Sequence, residues 1–191
     1  DLADSGIARR ISPAIMSYHG IQYQSMAPEV MDAEQLAWLQ SHLWILSGLY
    51  GCVRPFHAVE PYRLEMGAKL AVDDAQDLYA FWGDKLARAT APAGSNTTIV
   101  NLASVEYAKA VLPHLADDAT AVTCLFGEGI RNGKPIQRST ASKKARGSMV
   151  RWMAENKLED ASELTAFNIG YRHIPELSDK NTLVFMNAQA Q

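Results

Sequence analysis

Four polar residues, in two separate parts of the chain, have the chemistry of a small-molecule site. Arg63 and Glu65 alternate with apolar residues over 62–66, so both charged side chains share one side if this stretch is extended. Asn101 ends an apolar, β-branched run, and Glu106 lies in the first turn of the helix predicted to follow it. Because ligands of α/β proteins usually bind at the carboxyl ends of strands, these four residues are our catalytic candidates.

Each of these residues also has a purely structural interpretation. Ser104 can cap the predicted helix, and Glu106 can complement the helix dipole. Arg63 and Glu65 can form a surface ion pair. At the level of sequence, both interpretations stay open. The residues form either the polar site of an enzyme acting on a nucleotide, a nucleobase or damaged DNA, or a set of caps and ion pairs.

A second candidate site is a basic segment, residues 129–154. It holds seven of the 18 Lys and Arg residues and no acid, whereas the other 165 residues carry the remaining 11 basic residues and all 21 acids. A general polyanion binder is usually basic throughout, so with a formal net charge of −3 any contact with nucleic acid must be local. The seven basic residues are Arg131, Lys134, Arg138, Lys143, Lys144, Arg146 and Arg151.

The segment predicts binding to the phosphate backbone of DNA, because Lys and Arg that neutralise phosphates release condensed counterions. Arg63 and Lys69 are further candidates for the wall of the same cleft. No base-reading helix is predicted. The alternative is an ordinary solvated helix face whose Lys stems cover apolar surface.

Residues 140–156 have the pattern of a long helix with one buried stripe, formed by Ala145, Met149, Trp152 and Met153. Lys144 and Arg151 point away from this stripe in nearly the same direction, and Arg146 lies at its boundary. Gly147 inside a helix costs about 1 kcal/mol relative to Ala. We therefore expect another backbone, or a phosphate, to approach the helix closely there.

The remaining pattern predicts a mixed α/β (α+β) fold, a single domain over 1–191 with a mainly β-sheet core flanked by helices. Helices are predicted over 33–47, over 74–90 and from Ser104 onwards. Strands are predicted at 62–66, 98–102, 121–126, 135–138, 167–174 and 181–187. Asn132-Gly133 predicts a hairpin turn, because both residues tolerate positive φ.

The sequence lacks the motifs of several classes of functional site. The two cysteines form no CxxC, the five histidines are scattered, and neither GxGxxG nor a P-loop occurs. We predict no metal and no cofactor. No run of 18 apolar residues suggests a membrane span, and a content of only two cysteines fits a reducing, cytoplasmic setting. The first ten residues, DLADSGIARR, have the character of a continuation from an earlier segment.

Six stretches, in order along the chain, carry a resemblance to a known family. They are YHGIQYQ (18–24), HLWILSGLYGCVRPFHAVEPYRLEM (42–66), LYAFWGD (78–84), NLASVEY (101–107), KKARGSMVR (143–151) and FNIGY (167–171). Together they resemble the signature blocks of the YaaA family of bacterial peroxide stress proteins. The Lys-Lys-Ala-Arg-Gly block of that family corresponds to Lys143, Lys144, Ala145, Arg146 and Gly147.

The resemblance implies a cytoplasmic bacterial protein with an unusual family-specific fold. It also implies DNA binding through a basic cleft and a helix-hairpin-helix element, and a role in limiting free intracellular iron during hydrogen peroxide stress. Direct handling of iron or haem would follow only from that physiology. The register places YHGIQYQ well inside a family member, so we expect the N-terminal part, including the helix-hairpin-helix, to be missing from this chain.

Overall fold

Three of the predicted strands, near 98–102, 121–126 and 181–187, form the parallel centre of a four-stranded sheet. The computed structural model describes residues 11–189, so the prediction for the first ten residues lies outside the described part. The strands are β1 (Ser12–Pro13), β2 (Ile45–Ser47), β3 (Gly51–Val53), β4 (Ala58–Val59), β5 (Thr98–Asn101), β6 (Thr120–Gly127), β7 (Ile130–Arg131), β8 (Lys134–Pro135), β9 (Tyr171–His173) and β10 (Thr182–Asn187). The helices are α1 (Ala14–Ser17), α2 (Ile21–Met26), α3 (Ala33–His42), α4 (Leu78–Trp82), α5 (Lys85–Thr90), α6 (Val105–Ala108) and α7 (Ser139–Asn156).

The main sheet has the strand order β5-β6-β10-β9. β6 pairs in parallel with both β5 and β10, whereas β9 joins β10 antiparallel at the far edge. β5 is the other edge strand, and it pairs only with the first half of β6. The second half of β6 therefore extends beyond the end of β5. This offset leaves room beside the carboxyl end of β5.

The main core lies where α7 covers the sheet. Phe126 of β6 and Phe185 of β10 are fully buried and stacked, with ring centroids 5.5 Å apart, and Phe167 meets both edge-on. Met149 of α7 is also fully buried. A smaller apolar cluster lies under α4 and α5 around Met66. This confirms the α+β fold class that the sequence predicts.

The helix predicted over 33–47 is too long. Asp32 forms the predicted capping box with Gln35, but α3 ends at His42. Residues 45–47 form β2 instead, which pairs antiparallel with β3. Gly51, at φ +74°, allows the sharp turn between these strands. The pairing of β2 with β3 outweighs the helical spacing of the leucines.

The helix predicted over 74–90 is two helices, α4 and α5. Gly83 lies between them at φ +51°, a conformation that ends a helix. The predicted strand at 62–66 has no ladder partner among residues 11–189, although its burial alternates as expected, with Met66 buried and Glu65 exposed. The strand predicted at 135–138 extends only to Pro135.

Two predictions in the basic segment are confirmed. Asn132 and Gly133 form the turn between β7 and β8 with φ values of 52° and 71°. α7 covers the predicted length and buries Ala145 and Met149. Gly147 is buried as well, and α2 packs against the helix at that residue. The expected close approach at Gly147 is therefore made by another backbone.

Candidate functional site

A cavity of about 1060 Å³ lies beside β5 and the loop that follows it. Other parts of its wall come from α2 and the loop before it, from one face of α7 between Ser139 and Met153, and from residues 158–161. Five of the residues singled out from the sequence line this one cavity: Glu65, Asn101, Glu106, Lys143 and Arg146. The structure thus brings three of the four catalytic candidates into one cavity with two residues of the basic segment.

Arg146 has the least satisfied side chain in this wall. It is half-buried, and its Nε–H is buried with no hydrogen-bond acceptor among the described residues. No carboxylate in 11–189 lies within ion-pair distance of it. Burial lowers the pKa of the guanidinium, an effect that the nearby Cys124 thiol partly offsets. A half-buried cation without a counterion favours an anionic ligand.

Lys143 lies one helical turn before Arg146 and lines the same cavity. Its side chain is exposed and, within 11–189, makes no ion pair. The sequence around it contains no acid from 129 to 154. The charged residues that α7 contributes to the cavity, Lys143 and Arg146, are therefore all positive.

Asn101 is a positioning residue. It is only 8% exposed, its Nδ2 donates to Thr123 Oγ1 at 3.1 Å, and its Oδ1 accepts from the Ala103 N–H at 3.1 Å. Both ends of the amide are therefore engaged by the protein. The side chain fixes the turn from β5 into α6, where the hydroxyl of Ser104 makes none of the expected capping hydrogen bonds.

The two carboxylates among the catalytic candidates, Glu65 and Glu106, differ in their hydrogen bonding. Glu106 Oε1 accepts the Gly67 N–H at 2.8 Å, which ties α6 to the loop that carries Glu65. The carboxylate of Glu65 is exposed and, in the described part of the chain, makes no hydrogen bond or ion pair. Both residues line the cavity that Arg146 also lines, so the lining of this cavity contains residues of both signs.

Tyrosines form a part of the wall that the sequence analysis missed. The hydroxyls of Tyr18 and Tyr62 are hydrogen-bonded at 2.9 Å, and Tyr62 is also hydrogen-bonded to Ser47. Tyr23 stacks on Tyr18 with ring centroids 5.7 Å apart. Burial raises the pKa of Tyr18 and Tyr23, which keeps both phenols neutral. The repeated tyrosines in two of the six quoted stretches are the sequence signal from which these residues could have been predicted.

Four basic residues are exposed and do not line the cavity, and together they are here called the outer basic surface: Arg131, Lys134, Arg138 and Lys144. Arg131 and Lys134 face each other across the β7–β8 hairpin, and Arg138 immediately precedes α7. None of the four forms an ion pair with a residue in 11–189.

Three other candidates lie apart from the cavity. Arg151 is paired with Glu155, Nε to Oε1 at 2.7 Å, and lines a separate cavity of about 260 Å³. Arg63 and Lys69 are exposed and do not line the large cavity. Of the two charged residues predicted within 62–66, only Glu65 lines the large cavity.

The described residues contain no group of three His, Cys, Asp or Glu side chains arranged to hold a metal ion. Between residues 11 and 189, none of the helices has both the length and the apolar character needed to cross a membrane.

Comparison with known proteins places this chain in a bacterial context. A family profile described as peroxide stress protein YaaA matches residues 2–177. A UPF0246 protein of Pediococcus pentosaceus is 48% identical over 178 residues, 93% of this chain and 70% of the relative. UPF0246 proteins of Desulfitobacterium hafniense and Lachnoclostridium phytofermentans are 45% and 44% identical, over 94% and 99% of this chain and 71% and 73% of those relatives.

Proposed function

This chain belongs to the family of the peroxide stress protein YaaA, and we propose that it binds the phosphate backbone of DNA through its outer basic surface. The family membership supports a role in peroxide stress. One observation carries the proposal of DNA binding. Of the seven basic residues in the acid-free segment, only Arg151 is neutralised by a carboxylate of the described chain.

Charge that is crowded and unpaired in this way is costly unless an external anion offsets the repulsion. The unpaired positive charges come from two neighbouring elements, the β7–β8 hairpin and the start of α7. Charges spread over two elements suit an extended polyanion better than a single ion. The contacts are to phosphate, so the affinity is expected to depend strongly on salt and little on sequence.

The test is a triple variant, Arg131→Gln, Lys134→Gln and Lys144→Gln, on the exposed surface. Fluorescence anisotropy with a labelled duplex should show weaker binding, and the slope of log K against log salt should fall by about 0.9 for each phosphate that is no longer neutralised. The matched control removes three other exposed charges that form no ion pair within 11–189, with Lys85→Gln, Arg172→Gln and Lys180→Gln. An equal decrease in affinity for both variants would contradict a dedicated surface.

DNA binding also offers a physical link to protection from free intracellular iron. Basic side chains that neutralise phosphates displace condensed cations, and ferrous ions are among the cations that phosphates hold. Bound protein should therefore slow plasmid nicking by ferrous iron and hydrogen peroxide, and the triple variant should protect less than its control. Because both cysteines are free, we place this activity in the reducing cytoplasm.

A second candidate function is an enzyme acting on a nucleotide, a nucleobase or damaged DNA. The specific observation in its favour is that Glu65 and Glu106 share a cavity with Arg146. A carboxylate that is exposed to the cavity is available as a general base. Glu65→Gln should abolish any turnover found by mass spectrometry of oxidised oligonucleotides incubated with the protein. Turnover that survives this substitution would exclude Glu65.

A further inference from the structure

We propose that the large cavity is a nucleotide site, in which Arg146 and Lys143 hold a phosphate and the carboxylates of Glu65 and Glu106 accept hydrogen bonds from the base. The inference takes its class of ligand, a nucleotide, from the second candidate function. It does not require that the protein catalyses a reaction. It assigns Arg146 to the cavity rather than to the outer basic surface.

The first reason is the unsatisfied chemistry of Arg146. A guanidinium is the side chain best shaped for phosphate, because its N–H groups form a planar fork. In this protein the Nε–H is buried without an acceptor, and no described carboxylate pairs with the group. Burial lowers its pKa, which indicates that the protein alone does not compensate the charge. A bound phosphate would supply both the acceptor and the counter-charge.

The second reason is that the helix is fixed in place at this residue. Gly147 lies against the backbone of α2, and Ala145 is buried in the core. Arg146 is thus flanked by two residues that cannot move independently of the fold. Lys143, one turn earlier, adds a second cation on the same side. The site is built from rigid elements, as binding sites for charged groups usually are.

The third reason is the pair of carboxylate residues in the lining of the same cavity. Glu65 makes no hydrogen bond within 11–189, and Glu106 engages only its Oε1, with the Gly67 N–H. These carboxylates are not paired with Arg146 or Lys143. A ligand that contacts both pairs of side chains must carry an anion for the basic pair and hydrogen-bond donors for the carboxylates. A nucleotide with an exocyclic amino group has both.

The fourth reason is the aromatic lining, which distinguishes a nucleotide from a free amino acid. Tyr18, Tyr23 and Tyr107 line the cavity, and neutral tyrosine rings are good stacking surfaces for a base. The volume of about 1060 Å³ is ample for a nucleotide. A free amino acid could bind the basic residues and the carboxylates, but it would have no aromatic base to stack on the tyrosine rings.

The nucleotide can come from two sources with the same chemistry, as a free monophosphate or as one nucleotide extruded from DNA held on the outer basic surface. The first arm of the test uses free ligands, measured by calorimetry on the 191-residue chain. Adenosine monophosphate should bind at least about tenfold more tightly than adenosine, and Arg146→Gln should remove that advantage. Lys144→Gln, at an exposed residue two positions earlier on α7 and outside the cavity, should leave that advantage unchanged.

The second arm uses a duplex in which a mismatched base is a fluorescent adenine analogue that brightens when unstacked. Binding of the wild-type chain should raise its emission, and Arg146→Gln should suppress the rise while changing the anisotropy-measured DNA affinity by less than about twofold. Lys143 is exposed, so Lys143→Gln should fold normally. This variant should weaken the binding of adenosine monophosphate or the rise in emission, whichever of the two the wild-type chain shows.

The two proposals fail in different ways. Loss of DNA affinity in the outer triple variant with retained binding of adenosine monophosphate would support both. DNA binding with neither free-nucleotide binding nor a rise in emission would overturn the nucleotide site and leave the DNA proposal standing. Equal binding of adenosine and its monophosphate, or tighter binding of glycine than of either, would also overturn the nucleotide site.

Discussion

Gly147 of α7 lies directly against the carbonyl oxygen of Gln22 in α2. A Cβ atom at residue 147 would lie 2.0 Å from that oxygen and 3.0 Å from the amide nitrogen of Met26, and both contacts are with backbone. This approach joins two of the six stretches that carry the family resemblance, YHGIQYQ and KKARGSMVR. It also fixes the side of α7 that presents Arg146 to the cavity.

We expect Gly147→Ala to destabilise the fold. Ala gains about 1 kcal/mol of helix propensity, but forcing a methyl group against fixed backbone costs about 3 kcal/mol. The net effect should therefore be a lower free energy of unfolding, measured by urea denaturation. Ser148→Ala, next along the same helix, is the control and should stay within about 0.5 kcal/mol of wild type. Equal stability of the two variants would show that the helices separate easily.

Asn101→Ala should act on stability through the turn that follows β5. The amide bonds both Thr123 and Ala103, so its removal leaves buried groups unpaired at a cost of about 1–3 kcal/mol. Thr123→Val removes the acceptor of one of these bonds and should cost a comparable amount. Differential scanning fluorimetry measures both effects. If Asn101→Ala melts like wild type but loses ligand binding, Asn101 contacts the ligand directly.

The ion pair of Arg151 predicts an unequal response to two substitutions on α7. Arg151→Ala should lower DNA affinity by less than about twofold, because Glu155 already neutralises the charge. Lys144→Ala, on an exposed and unpaired residue, should lower it by about threefold or more at low salt. Glu155→Gln frees Arg151 and should strengthen binding. Anisotropy titrations at two salt concentrations separate these outcomes, and weaker binding by Glu155→Gln would contradict the electrostatic account.

The cysteines of this chain should be poor targets for peroxide. Burial raises the pKa of Cys124 to about 12, and burial also raises the pKa of Cys52 against the opposing effect of Arg54. Since the thiolate is the reactive species, Cys124 should stay protonated and slow to react between about pH 7 and 9. In urea its reactivity should instead rise through about pH 8.5. Mass spectrometry after hydrogen peroxide and iodoacetamide measures this, and rapid oxidation of native Cys124 would disprove it.

Helix ends were the least predictable part of the fold. The leucine spacing continues past His42, but the segment after it pairs with β3, and that pairing is invisible to local periodicity. Gly83 interrupts the next helix with a positive φ that only the tertiary position of α4 and α5 reveals. By contrast, α7 and the hairpin turn at Asn132-Gly133 follow local rules and were predicted to within a residue or two.

The sequence by itself determined the family, the α+β class and the concentration of positive charge between 129 and 154, because blocks, periodicity and charge are properties of local order along the chain. Only the tertiary structure decided which of those charges are available. In the folded chain Arg151 is paired with Glu155, whereas the residues of the outer basic surface have no ion-pair partner within 11–189. Arg146 lines a cavity together with Glu65 and Glu106. The physical reason is that the free energy of a charge depends on its burial and on its neighbours in space, and residues far apart in sequence supply both.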